Sequence, residues 1–174
     1  MPLLDFKVDF DLEMAVAQVY GQPMVFHCHH YNTFLQQTIE DPSYVDSTAI
    51  LTDAAAEVAF EQMTEYYLAH PEVVAPQQRL AIAAEMFKTC GFGTVDLAQL
   101  GDQGGTAVAP HSHYALGWTS KFGPRETPGC YFVAGYIAGA LAAAYGRPLD
   151  MYRSTETSCA AAGADCCNFS VEVK

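Results

Sequence analysis

Basic residues are scarce in this chain: 8 Lys and Arg stand against 20 Asp and Glu in 174 residues, a formal net charge of −12. That balance argues against nucleic acid or anionic membrane as a partner, because both are gripped through clustered cations. No uncharged apolar run reaches the roughly 18 residues that a membrane span needs; the helix-like stretch from Cys130 to Tyr145 is too short and too Gly-rich. A Walker loop, a G-x-G-x-x-G after a strand and a G-x-S-x-G elbow are all missing. Nucleoside triphosphate, nicotinamide and flavin chemistry therefore has no motif behind it. Internal repeats and low-complexity linkers are absent too. The opening MPLLDFKVDFDLEM lacks the basic segment and apolar run of a secretory leader. The expectation is one cytoplasmic domain, residues 1–174, with no membrane association.

Apolar material is plentiful. Hydrophobic residues make up 51% of the chain and charged ones 16%, enough for a real core and too little charge for disorder. In a reducing compartment the six cysteines read as ligands or core residues rather than disulfides, and the adjacent Cys166 and Cys167 are poor partners for each other.

Along the chain, weak alternation and then AVAQVYGQPMVFHCHH predict one or two short strands broken at Gly21-Gln22-Pro23. His29 to Glu40 has helical spacing with Tyr31, Phe34, Leu35 and Ile39 on one face, stopped by Asp41-Pro42. Asp46 or Ser47 caps a long helix to about His70, with Ile50, Leu51, Ala54, Val58 and Met63 among its apolar positions. Pro76 opens a third helix that runs to Gly91. Period-two alternation then marks Phe92–Leu100 and Thr106–Trp118 as a hairpin around a Gly-rich turn. Cys130–Tyr145 follows as a helix whose Gly135 and Gly139 imply close approach to a sheet. Leu149–Thr157 and Cys166–Val173 form a last hairpin. The order predicts an α+β fold, a helical part over 1–91 and a ββαββ antiparallel-sheet unit over 92–174.

The chemistry concentrates in that second part. Cys130, Glu156, Cys159 and Cys167 come from separate predicted elements and can close a tetrahedral shell around Zn²⁺ or Fe²⁺. Of the vicinal pair, Cys167 is the better candidate: it shares strand parity with Phe169 and Val171. A shell filled by protein leaves no open position, so the metal, zinc above all, reads as structural.

Pro128-Gly129-Cys130, Phe132-x2-Gly135-x3-Gly139 and Glu156-x2-Cys159-x3-Gly163-x3-Cys167-x-Phe169 together resemble the 4-vinyl reductase domain family, in its stand-alone small-molecule or hydrocarbon-binding form. The resemblance is close from about Phe92 onward and looser before it. It implies a half-barrel sheet and helix, an architecture similar to haem-nitric-oxide-binding domains and to a subunit type of vesicle-tethering complexes. It also implies the ligand set Glu156, Cys159 and Cys167 with Cys130 as fourth, a small hydrophobic or tetrapyrrole-like ligand, and association into a homodimer.

Nothing in that resemblance accounts for His27-Cys28-His29-His30-Tyr31-Asn32 or for Pro110-His111-Ser112-His113-Tyr114. On a strand, His111 and His113 would share a side. With His27, His29 and His30 they can supply three or four imidazoles, enough for iron, copper, a catalytic zinc or a haem axial ligand, and Cys28 would add a soft donor. Satisfied core histidines plus exposed ones are the plainer alternative. Aromatic residues, among them Tyr31, Tyr114 and Trp118, can line a pocket for a flat apolar ligand. Lys121 and Arg125, between Trp118 and Gly129, either cover that pocket and meet a carboxylate or belong to a solvated loop.

Two functional readings follow. One is a binding protein, a carrier, sensor or accessory subunit with a Cys/Glu metal site. The other is a metalloenzyme or redox protein with a second, His-rich iron, copper or haem site.

Overall fold

The computed structural model describes residues 8–19, 22–25, 27–41 and 46–174. Gly21 and Pro42, on which two of the sequence boundaries rest, lie outside them. The first strands, β1 (Val8–Asp11), β2 (Val16–Val19) and β3 (Gln22–Met24), form an antiparallel meander in chain order. The sequence reading allowed one or two strands here and placed a break at Pro23. Pro23 instead sits in β3, an edge strand with one neighbour, where a missing N–H costs no ladder bond.

Three helices follow: α1 (His29–Glu40), α2 (Ser47–Ala69) and α3 (Pro76–Thr89). Asp46 caps α2, its Oδ1 accepting the Ala49 N–H at 3.1 Å. Strands β4 (Gly93–Asp96), β5 (Leu100–Gly101) and β6 (Gly104–Ser112) lead into α4 (His113–Phe122) and α5 (Tyr131–Tyr145), and β7 (Tyr152–Ser158) and β8 (Cys167–Val173) close the chain. The main sheet is antiparallel in the order β4-β6-β8-β7, with β5 attached to β6. Helices and an antiparallel sheet are thus segregated as an α+β fold predicts.

The core is centred on α5. Every residue from Val133 to Ala144 is buried, which a helix achieves only when neighbours cover its whole circumference. β7 and α3 lie against it, and Tyr136 donates from its hydroxyl to the Ala83 carbonyl of α3 at 2.8 Å. Gly135 and Gly139 face α2, not the sheet as expected. A Cβ at Gly135 would collide with the Thr52 carbonyl, and one at Gly139 with the Ala56 carbonyl, so the two helices touch backbone to backbone. The complementary surface is the small-residue run of Ala55, Ala56 and Ala59 on α2.

Two further expectations change. Residues 113–118 continue β6 in the sequence reading but begin α4, because the Ser112 hydroxyl accepts the Ala115 N–H and starts a helix. The face that α1 buries is polar: Thr33 and Gln36 are buried, whereas Tyr31, Phe34 and Leu35 are exposed. On α2, Ile50 and Val58 likewise point to solvent.

Candidate functional site

Three elements deliver the cysteine and glutamate side chains to one point. Cys130 stands at the N-cap of α5. Glu156 lies near the end of β7, at a register shift against β8, and Cys159 follows directly after β7. Cys167 opens β8 on the inward side shared with Phe169 and Val171. The three sulfurs are 3.6 Å (Cys130–Cys167), 3.8 Å (Cys130–Cys159) and 4.0 Å (Cys159–Cys167) apart. Disulfide spacing is about 2.05 Å. A tetrahedral shell with Zn–S bonds of about 2.3 Å sets its sulfurs about 3.8 Å apart. With the Glu156 carboxylate, all four donors lie within 4.8 Å of one another. Cys166 is turned away, its sulfur 3.5 Å from Asn168 Nδ2.

The carboxylate completes the fit. Glu156 Oε2 accepts the Cys130 N–H at 2.7 Å, while Oε1 is buried with no protein partner, an arrangement that a bound cation relieves. Without a cation, burial pushes the Glu156 carboxyl up to about 7. Hydrogen bonds from Cys130 and Cys167 hold the Cys159 thiol far below the usual thiol range, while hydrogen bonds to Cys159 and Cys167, with burial, raise Cys130. Cys167, although bonded by Cys130, is pushed up to about 12 by its hydrogen bond to Cys159 and by burial. One thiolate is thus propped by two thiols, and a dication displaces the remaining protons. The Ala160 N–H points at the Cys167 sulfur at 3.4 Å, and the Ser112 hydroxyl lies 3.3 Å from the Cys130 sulfur.

Ser112 also links this cluster to a cavity, since it caps α4 and so positions His113 and Tyr114. The cavity measures about 440 Å³, with Phe92, Tyr114 and Phe132 forming an aromatic wall and His27, Asn32 and His113 a polar edge. Phe132 stacks on Tyr114 at 5.0 Å and leans on Phe92 at 4.5 Å. Asn32 Nδ2 and His113 Nε2 are 3.2 Å apart. Burial and, after it, the neighbouring His29 lower the His113 pKa. Two apolar cavities adjoin it: one of about 280 Å³ shares Met24 and Cys90, and one of about 260 Å³ shares Asn32, Tyr114 and Phe132.

The histidines are partly gathered. His29 lies 4.1 Å from His30 and 6.4 Å from His113, ring centre to ring centre, and His27 stacks on Tyr31 at 4.2 Å. Cys28 is exposed at the N-cap of α1. His111 stays on β6 opposite Thr94, exposed, so it does not share a strand face with His113. Among the described residues the Cys/Glu quartet alone brings three or more such donors within 4.8 Å.

Of the aromatic residues singled out in the sequence, Tyr114 lines the cavity. Trp118 instead carries the Arg125 guanidinium 4.0 Å above its ring. Arg125 does meet a carboxylate: it forms a two-point bond to Glu40 at 3.0 and 3.1 Å, both side chains largely buried. Sequence reasoning missed Gln36, which donates to the Gly129 carbonyl at 2.8 Å, and the cavity residues Met24 and Cys90. Gln36 had a readable signal, a polar residue among exposed apolar neighbours; Met24 and Cys90 had none.

The family model of the 4-vinyl reductase domain matches residues 119–173, the stretch that holds all four converging donors. The chain carries a 4-vinyl reductase domain. Across the longer fold, a solved structure of the phenol-responsive sensory domain of the transcription activator PoxR with phenol is similar, at TM-score 0.78 and 15% identity, covering 95% of this chain and 84% of that one. A trafficking protein particle complex subunit 3 from Naegleria fowleri, covalently bound to palmitic acid, matches at TM-score 0.54 and 15% identity over 83% of this chain and 90% of that chain. A vinyl-4-reductase family protein from Methanocaldococcus jannaschii matches at TM-score 0.47 and 18% identity, over 87% and 99%. No curated protein sequence matches the chain. The α+β architecture around the 4-vinyl reductase domain is therefore that of the PoxR sensory domain and the trafficking subunit.

Proposed function

We propose that this 4-vinyl reductase-domain protein is a cytoplasmic small-molecule-binding protein, a carrier, sensor or accessory subunit, whose Cys130, Glu156, Cys159 and Cys167 hold one zinc ion. The convergence of four donors at tetrahedral spacing, with one carboxylate oxygen otherwise orphaned, carries the metal half of this reading. Zinc in such a shell ties the α5 N-terminus to the β7–β8 hairpin and does no chemistry of its own. The ligand half rests on the cavity beside Tyr114, of a volume that takes a small hydrophobic or tetrapyrrole-like molecule. Two structurally similar proteins are described with phenol and with palmitic acid, which supports a binding role. Six free cysteines fit a reducing cytoplasm, and the net charge of −12 speaks against nucleic acid. Exposed Leu35, Ile50 and Val58 support a homodimer through α1 and α2.

X-ray absorption at the zinc edge tests the metal assignment. Three sulfurs and one light atom around zinc is the expected shell; a shell with two or more imidazoles would overturn it. The second reading, a metalloenzyme or redox protein with a His-rich iron, copper or haem site, draws on the His29–His30–His113 contacts. It predicts a second metal or a visible chromophore that a His29→Ala/His113→Ala variant loses.

A further inference from the structure

A slot of about 530 Å³ lies between α2, the start of β7 and Lys174, sharing no lining residue with the aromatic cavity. Small residues of the two close-packed helices, Ala56 on α2 and Ala138 on α5, form part of its lining. Its rim is acidic: Asp46, Asp53 and Glu57 follow one another along α2, and Asp150 stands in the short turn before β7. Asp53 and Glu57 are one helical turn apart, where two like charges meet and cost stability. Among the described residues neither of them, nor Asp150, forms an ion pair. Arg153 also borders the slot, but it is exposed, alternates with the inward Ser154 and stands in register with Glu172 on β8. Lys174 is left as the main counter-charge to four carboxylates.

A second observation is independent of charge. Ser154 lines the slot, is only 8% exposed, and its Oγ is buried with no hydrogen-bond partner among the described residues. A hydroxyl left in that state is uncommon in a folded protein, and its oxygen can accept from an N–H that enters the slot.

Spacing decides the kind of cation. From Asp46 to Glu57 the α2 axis rises about 16 Å. A metal ion needs its donors converged, and among the described residues only the Cys/Glu quartet brings three or more within 4.8 Å. The slot carboxylates stand in a row instead, which matches several positive charges held apart on one flexible chain. Methylene segments between those charges would lie on Ala56 and Ala138.

We propose that this slot binds an aliphatic polyamine, its ammonium groups shared among Asp53, Glu57 and Asp150 and one of them donating to Ser154 Oγ. The site is separate from the aromatic cavity and from the Cys/Glu cluster, so it stands or falls independently of the function proposed for them.

Titration calorimetry of the intact chain with spermidine, butylamine and Mg²⁺ at physiological ionic strength tests it. Spermidine should bind at one site per chain and butylamine at least roughly tenfold more weakly, and equimolar Mg²⁺ should not displace spermidine. Asp53→Asn/Glu57→Gln should weaken spermidine by about tenfold and, with the like-charge pair gone, leave the melting temperature of the free chain unchanged or higher. Ser154→Ala should weaken spermidine by roughly fivefold without destabilising the free chain, since the hydroxyl it removes has no partner. Glu61→Gln, an exposed acid on α2 outside the slot, should change nothing. An equal loss in Glu61→Gln would mean attraction to the overall negative charge and would overturn the site. Spermidine binding untouched by Asp53→Asn/Glu57→Gln, or absent at this ionic strength, would overturn it as well. Displacement by equimolar Mg²⁺, or butylamine binding as tightly as spermidine, would overturn the polyamine assignment.

Discussion

The two halves of the chain are held together in different ways. From Gly93 onward the polypeptide surrounds one fully buried helix, α5, and pins its N-terminus with the Cys/Glu cluster. Before Ala69, the β1–β3 meander and α1 leave Phe10, Leu12, Tyr31, Phe34 and Leu35 in solvent. Two polar contacts tie α1 to the loop before α5, Gln36 to the Gly129 carbonyl and Glu40 to Arg125, beside its packing on α4. The second half is stabilised by burial, whereas α1 is fastened to the loop before α5 by a few directional bonds. Directional bonds open at lower cost than a packed core, so the cavity wall that α1 supplies, Asn32 included, is the part expected to yield when a ligand enters.

The largest predicted effect breaks the stronger half. If the cluster holds the proposed zinc, Cys159→Ser removes one of its donors and leaves a buried, half-assembled site, a loss of about 3–5 kcal/mol or more. Thermal denaturation should show it as a fall of more than about ten degrees, what such a loss produces in a domain of this size. Gly139→Leu attacks the seam joining the halves, since its side chain meets the Ala56 backbone; about 3 kcal/mol is expected, again read from the melting curve. Glu40→Gln leaves Arg125 buried without its carboxylate, a cost of about 3 kcal/mol. Hydrogen exchange should then accelerate in α1 and stay slow in α5. Equal acceleration in both would erase the contrast between the halves.

Protonation sharpens the same comparison. Burial raises the folded-state Glu156 carboxyl from its ordinary 4.5 to about 7 in the metal-free cluster. A raised carboxyl contributes stability below its unfolded pKa, and that contribution is lost as pH rises through the folded value. Between about pH 5 and pH 7 the Cys159 thiolate, protonated only in the unfolded chain, contributes with the opposite sign, so the stability of the metal-free protein should change little there, while metal affinity gains over the same window because the remaining donors must shed protons. A metal competition assay at several pH values reads the second slope. The smallest effect is reserved for Val58→Ser on the exposed side of α2, within about 0.5 kcal/mol in a monomer. A larger loss, accompanied by a change in sedimentation, would show that a second copy covers this face.

The convergence of the Cys/Glu cluster was legible in the sequence because three of its four residues sit within one hairpin and the fourth starts the helix beside it. Helices α1, α2, α3 and α5 were legible from periodicity and from Asp46, Pro76 and Gly146 at their ends. The strand expected through Trp118 was not found, because Tyr114, Leu116 and Trp118 alternate like a strand while Ser112 caps like a helix, and the cap won. The partner of Gly135 and Gly139 was hidden, since small residues announce a close approach without naming what approaches. Nor was the cavity readable. Its walls come from β3, α1, the turn after α3, α4 and α5, and only the tertiary fold brings them together.

The most direct test of the account is the metal content of the purified, untagged chain, measured by elemental analysis beside the Cys159→Ser and Cys167→Ser variants. One zinc per chain, lost in both variants, is the predicted result. A purified chain that carries no metal, or one whose metal survives both substitutions, would contradict it.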